Sequence, residues 1–364
     1  MSLSNLPAPT IIEQIDYEAI VQRKLNRVKE ILKDKGIEYI PSEADDIMTL
    51  IELDAFEEML LRTSLNERTK QQFLAFATGS NLDHIGITRF GVKRLKGKKP
   101  IAQVEFEISL VQDSDIILPK GLLLGDAGEN NAILTDEVII KAGETKAIGT
   151  IELNEYVESK DIKCEVILTQ MPWVVNVKQL AAFTGGANAE SDDRYRERIW
   201  ISRERKTTAG SVAQYEFYAL SADVRVEAVS VKNGGAGVVV VIVFGKDFNT
   251  SDELVQIVDK ALNKEEIRPL TDIVNVQKAV IKDVAINATL IAKDINLVDF
   301  ESIKRGFLEF EGKFGVKLTI PKIYDLLTDS NIVDVELNTP TSAINCADNE
   351  VIRFSFNLHT RGVE

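Results

Sequence analysis

From Thr184 to Gly245 the chain runs through a glycine turn, two helix patterns with capping residues and a hairpin, in that order. The end of this run is its tightest constraint. Val238 to Phe244 is apolar at every position, so it reads as a strand buried on both faces. Val224 to Lys232 precedes it, and the two flank Asn233-Gly-Gly-Ala-Gly237, a hairpin signal. Upstream, Ser191 is placed to cap a helix to about Ser202. Ser211 is placed to cap a second, with Val212, Tyr215, Tyr218 and Ala219 at helical spacing.

The rest of the chain extends this α+β reading into four segments: a helical region over 1–95, a small antiparallel β domain over 96–182, a helical connector over 183–222 and a mixed α/β domain over 223–364. In the first, Tyr17 to Lys35 is helical by its apolar spacing and ends at Gly36. A second helix is expected from Asp46 to Ala77. Ile47, Leu50 and Ile51 mark one side of it, and Leu53, Phe56 and Leu60 another. A helix apolar on two sides needs neighbours on two sides. The first helix supplies one; the other is either this chain's own fold or another subunit.

In the β segment, Ala102, Val104, Phe106, Ile108 and Leu110 alternate with polar residues, and Ile162, Cys164, Val166 and Leu168 repeat the pattern. Turn signals at Pro119-Lys-Gly121 and Ala142-Gly143 divide the stretch into short strands. In the last segment Leu254, Val258 and Ala261 mark an amphipathic helix, and Val284, Ile286, Ala288 and Leu290 a strand. Ile303, Phe307, Phe310 and Phe314 form a helix face, Ile323 to Leu327 a short helix, and two strands close the chain, the second marked by Ile352, Phe354, Phe356 and Leu358. Two helices on one face of a mixed sheet, in a ferredoxin-like style, is the expected arrangement.

Composition argues against several functions. A net charge of −14 disfavours bulk nucleic-acid binding. No apolar run reaches membrane-spanning length, and the N-terminus lacks the basic start and apolar core of a signal peptide, so no membrane insertion and a cytoplasmic origin are expected. Cys164 and Cys346 have no CxxC spacing, so neither a disulfide nor a zinc site is expected.

Catalytic chemistry is hard to find. His84 and His359 sit outside ligand or triad spacing of any other candidate. The pairs Asp45-Asp46, Glu57-Glu58, Asp192-Asp193 and Glu265-Glu266 are adjacent, and neighbours on a helix point apart. Gly234-Gly-Ala-Gly237 lacks the GK[ST] ending of a phosphate loop and precedes a strand rather than a helix. No catalytic residue, metal, cofactor or small-molecule substrate is assigned. The one basic cluster is Arg194, Arg196, Arg198, Arg203, Arg205 and Lys206. It reads as a salt-bridged helix surface, a nucleic-acid contact or a docking patch for an acidic neighbour.

The motifs together resemble the baseplate J-like proteins of contractile phage tails and related injection systems. The likeness is carried first by Asn66-Glu-Arg68 and by Phe73-Leu-Ala-Phe-Ala-Thr-Gly79-Ser-Asn-Leu-Asp83. Ile117-Leu-Pro-Lys-Gly121 follows in the β segment. Gly185-Gly186 and Glu190-Ser-Asp192 then lead into Tyr195-Arg196-Glu-Arg198. Thr208-Ala-Gly210-Ser211, Gln214-Tyr215, the hairpin and Arg268-Pro-Leu-Thr-Asp272 complete the order. One departure is the link before the central motif, where Val157 to Val177 is poorer in glycine than in the family. The resemblance implies a non-enzymatic wedge subunit in a virion tail baseplate, assembled in the host cytoplasm. Its implied partners are copies of itself and other wedge proteins, with Leu50, Leu53, Phe56 and Leu60 entering an intersubunit helix bundle and the C-terminal region carrying wedge-to-wedge contacts. The alternative is a carbohydrate-binding or carbohydrate-cleaving tail protein; Trp173 and Trp200 are the only tryptophans available to it.

Overall fold

Two aspartates start the first two helices. In the computed structural model, which describes residues 6–42, 45–126, 128–171, 175–203 and 210–363, Asp16 caps α1 (Tyr17–Asp34) by accepting the Ala19 N–H. Asp45 caps α2 (Asp46–Lys70) by accepting the Ile47 N–H. The chain is a mixed α+β protein that divides into two units, the first made of Met1–Arg94 with Ser191–Trp200, the second of Leu95–Glu190 with Ile201–Glu364.

In the first unit α1 and α2 pack through Ile20, Val21 and Leu25 against Ile51 and Ala55. Beside this seam Lys24 pairs with Asp54 and Glu58 at 2.6 and 2.7 Å, and Arg62 pairs with Glu58 at 2.8 Å. The helix expected to reach Ala77 stops at Lys70. Its continuation turns instead, and within that turn the Leu74 and Ala77 carbonyls accept hydrogen bonds from Arg196. α3 (Gly79–Ile85) runs on into a wider helical turn at Gly86–Phe90, which the left-handed Gly91 ends. α4 (Asp192–Ile201) follows Ser191, whose hydroxyl accepts the Arg194 N–H at 3.4 Å.

The second unit begins with antiparallel strands: β1 (Ile101–Ile108), β2 (Ile116–Leu118), β3 (Leu123–Gly125), β4 (Asn131–Leu134), β5 (Val138–Ile140), β6 (Lys146–Leu153), β7 (Val166–Ile167) and β8 (Val175–Gln179). Their order is β7-β3-β4-β6-β1-β8 in one sheet, with β2 and β5 paired separately. Alternate residues, among them Val104, Phe106, Leu118, Leu134 and Ile151, fill one core. The alternating pattern at Ile162 to Leu168 does not make a long strand. The Gln179 side chain accepts the Cys164 N–H at 2.9 Å and donates to the Ile162 carbonyl at 2.8 Å, taking backbone bonds that a neighbouring strand would otherwise make. Cys164 is buried there, while Val166 and Leu168 are exposed.

α5 (Val212–Ala222), capped by Ser211, leads into β9 (Val226–Gly235) and β10 (Val238–Gly245). α6 (Asp252–Leu262) and β11 (Ile273–Lys278) follow. β10 is central, antiparallel to β9 and parallel to β11. It is buried from Val241 onward and half-buried over its first three residues, beside the exposed glycine-rich hairpin tip. Tyr215 and Ala219 of α5 pack with Leu254, Val258 and Leu262 of α6 over Val241 and Val243.

The single mixed sheet expected of the last segment is replaced by two. β12 (Val280–Ala292) starts two residues after β11 ends, yet its neighbours are β14 (Ile332–Thr339), antiparallel, and β16 (Glu350–Gly362), parallel. The chain passes directly from one sheet to the next, so no strand is shared. α7 (Phe300–Leu308) and α8 (Ile320–Leu327) cover this second sheet, and the short β13 (Lys317–Leu318) and β15 (Ile344–Asn345) pair beside it. α7 is shorter than its aromatic spacing suggests. It stops before the left-handed Gly312 and Gly315, and Phe310 and Phe314 lie beyond its end. Among the described residues, no helix is long and apolar enough to cross a membrane.

Candidate functional site

Two motif segments far apart in sequence close on each other in the first unit. Arg94 bridges them, pairing with Asp83 and with Asp192 at 2.7 Å each. Asp192 also accepts the Gly79 N–H at 3.0 Å, supplying a partner at the start of α3 where Thr78 gives no side-chain cap. Burial acts to raise the Asp192 pKa, but the Gly79 hydrogen bond and the Arg94 pair outweigh it and hold the carboxyl below the usual range. Leu82, the partner of Asp83 in the motif, is fully buried.

Tyr195 is the centre of this clasp. Its hydroxyl donates to the Val92 carbonyl at 2.7 Å. The Arg94 and Arg198 guanidinium carbons lie 4.7 and 5.5 Å from its ring centroid, within cation–π range. Arg196 donates to the Leu74 and Ala77 carbonyls at 2.9 and 2.8 Å and pairs with Asp193 at 2.6 Å. Arg198 donates to the Lys93 carbonyl at 2.6 Å.

This geometry corrects the reading of the arginine cluster as one surface patch. Arg196 and Arg198 are buried, because the turns at Leu74–Ala77 and Lys93 leave carbonyls that only long cationic donors from α4 reach. Arg194 is half-buried and Arg203 exposed. Arg205 and Lys206 lie outside the described residues, as does Trp173. Arg94 and Gly86 went unnoticed in the sequence. A glycine between Ile85 and Ile87, within a helical stretch, was the available signal for Gly86.

The outer half of α2 is the second feature. Ile51 and Ala55 face α1. Leu50, Leu53, Phe56 and Leu60 are 63%, 55%, 48% and 51% exposed, and Ile47, Leu61 and Leu65 are exposed with them. At 100° per residue these side chains spread over about half the helix circumference, on the side turned away from Ala55. Among the described residues of the first unit, none buries them.

In the second unit the central motif folds onto itself. The Tyr215 hydroxyl bonds to the Asp272 carboxylate at 2.7 Å, Gln214 donates to the Ile267 carbonyl at 3.2 Å, and Arg268 to the Asp272 carbonyl at 3.1 Å. Burial and then Asp272 push the Tyr215 hydroxyl pKa well up, which keeps it a donor. Gly210 sits at φ +67, and a Cβ there would come within 2.8 Å of the Asp272 carboxylate. These groups are committed to one another, a structural staple rather than a reactive set.

Elsewhere His84 and His359 are exposed, as are Glu265 and Glu266. Among the described residues no three His, Cys, Asp or Glu side chains gather as metal ligands.

Comparison with known proteins fits these two clusters. The Baseplate J-like N-terminal domain matches residues 43–98, which include α2, α3 and Arg94. The Baseplate J-like central domain matches residues 207–278, from the approach to α5 to the end of β11. Baseplate protein J of Escherichia phage P2 is 24% identical over 355 residues, covering 94% of this chain and 92% of that protein. A chain of the six-fold symmetrised baseplate of the anti-feeding prophage aligns over 94% of this chain and 91% of its own, with a TM-score of 0.47 and 10% identity. Residues 43–98 and 207–278 thus match the N-terminal and central domains of the baseplate J-like family, while the α4 residues that close the first cluster lie between the two matches.

Proposed function

We propose that this chain is a structural subunit of a phage-type contractile-tail baseplate, a wedge component that works through protein–protein contacts in assembly and triggering. The observation that carries the reading is the outer half of α2, a broad apolar surface that one copy of the chain leaves in water. Similarity to baseplate protein J of phage P2 along nearly the whole chain indicates which assembly would cover it.

On this reading Leu50, Leu53, Phe56 and Leu60 enter an intersubunit helix bundle with copies of the chain and with other wedge proteins. Arg194, Arg203 and Arg205 offer charge for acidic neighbours. The region 223–364, with helices packed against each mixed sheet in the ferredoxin-like style, carries contacts between wedges, and 96–182 and 183–222 act as spacer and connector. The role needs no catalysis and sites the protein in the virion tail.

The test is affinity purification of tagged protein from a producing lysate, followed by mass spectrometry and electron microscopy. Other baseplate subunits in wedge- or ring-shaped particles are the expected result. A monomer free of tail proteins, from a lysate containing assembled tails, refutes the reading.

A further inference from the structure

We propose that the open edge of β16 pairs antiparallel with β16 of a second copy of this chain, about a two-fold axis at Leu358, so that the two β14-β12-β16 sheets become one continuous sheet. Such pairing gives the proposed contacts of 223–364 a definite edge, and rests on that reading for the presence of a partner; the edge and the register come from the strand itself.

The β14-β12-β16 sheet has two outer edges, and they are not alike. The pairing of β14 with β12 shifts register between Asn287 and Ala288 and again between Ile291 and Ala292, and Pro340 follows the last residue of β14. Bulges and proline keep an edge from taking up another strand. β16 has neither. Its 13 residues pair with β12 in unbroken register from Glu350 to Gly362.

Only the start of the outer edge of β16 is covered. The Ile352 carbonyl accepts the Gly312 N–H at 3.4 Å, and the Phe354 N–H donates to the Glu311 carboxylate at 2.7 Å. Backbone groups alternate in direction along a strand, so those of Phe356, Leu358 and Thr360 point outward with them. Among the described residues no hydrogen-bond partner meets these groups on that side. Their side chains continue the row of Ile352 and Phe354, which are buried, yet Phe356 and Leu358 pack against the same core only half-buried. Ile295 and Leu297, on the short turn that lies against β16, and Val363 just beyond its end are exposed. An open backbone edge is thus flanked by apolar side chains short of cover.

The residues between them, on the solvent face, make the strand its own complement. Arg353 and Arg361 lie there, paired with Asp283 and Glu336 at 2.6 and 2.5 Å, together with Ser355, Asn357 and His359. With Leu358 opposite its own copy, Ser355 of one copy faces Arg361 of the other, and Asn357 faces His359. Moving the register by one pair sets Arg353 opposite Arg361 in one direction and His359 opposite a second His359 in the other. Groups of the same charge directly opposed across a pair of strands repel, so the register about Leu358 is the favoured one.

Sedimentation of the full chain tests this in a Leu53→Asp, Phe56→Asp background, so that α2 adds no association of its own. A reversible dimer is expected. Thr360→Pro removes an outward N–H that has no partner in its own chain, a place where an edge strand accepts proline. It should weaken the dimer by about ten-fold or more with the circular dichroism unchanged. Asn357→Cys chains mixed with His359→Cys chains, both changed at exposed positions, should become disulfide-linked across copies under mild oxidation, and Ser355→Cys mixed with His359→Cys should not. If Thr360→Pro fails to fold, the cross-linking pair still decides. A chain that stays monomeric, a dimer that Thr360→Pro leaves unchanged, or linking no faster than in the Ser355→Cys mixture overturns the pairing. Baseplate subunits recovered with the tagged protein would then leave the assembly role standing without it.

Discussion

Gly86 has no side chain because Tyr195 occupies the space. A Cβ on Gly86 would fall on the Tyr195 hydroxyl and 2.6 Å from the ring carbon that bears it. The same hydroxyl is bound to the Val92 carbonyl, so the ring has nowhere to move. Gly86→Ala is therefore expected to destabilise the first unit by about 1–3 kcal/mol, as overpacking does. Tyr195→Phe should cost about 1–3 kcal/mol by leaving the carbonyl unpaired. Because the phenylalanine ring keeps its place, the double variant should be no better than Gly86→Ala alone. Urea denaturation of the three variants checks both numbers.

The outer face of α2 should separate folding from assembly. Leu53→Asp and Phe56→Asp change side chains that are about half exposed in the single chain. Their effect on stability should stay within about 0.5 kcal/mol. Ala55→Asp, at a fully buried position on the same helix, should unfold the pair of helices. Circular dichroism reads the first comparison. Incorporation into baseplates reads the second, and Leu53→Asp with Phe56→Asp should abolish it.

Acid should weaken the α1–α2 pair through Glu58. The hydrogen bond from Lys24 lowers its pKa to about 2; burial opposes this, and Arg62 and Arg23 add to it. A carboxyl lowered on folding stabilises the fold above its ordinary value of 4.5 and loses that contribution as pH falls toward about 2. Denaturation curves between about pH 5 and about pH 2 should show this slope, and Glu58→Gln should flatten it.

The arginines of α4 should fall into two classes. Arg196→Ala leaves the half-buried Leu74 and buried Ala77 carbonyls without their donor, at a cost of about 1.5–3 kcal/mol for each charged hydrogen bond. Arg203→Ala, at an exposed position, should stay within about 0.5 kcal/mol. Thermal unfolding of each variant distinguishes a buried clasp from a surface patch.

Element types were legible in the sequence because their causes are local. The spacing of Ile20, Val21 and Leu25 makes α1 a helix whatever lies beside it, and the glycines after Asn233 turn β9 into β10 without help. The excess of apolar residues on α2 was equally visible, since it depends only on a 3.6-residue period.

Direction and partner were not legible, because they depend on residues remote in the chain. Arg196 and the Leu74 carbonyl are 122 positions apart, so composition alone left that arginine on the surface. Which side of α2 faces α1 was equally open until the path of α1 was known. Strand pairing divided the last segment into two sheets for the same reason: β12 takes its neighbours from 332–339 and 350–362, not from the strand two residues before it. Periodicity states that a side chain needs cover or a charge needs a partner. Only the tertiary structure determines where along the chain that partner is found.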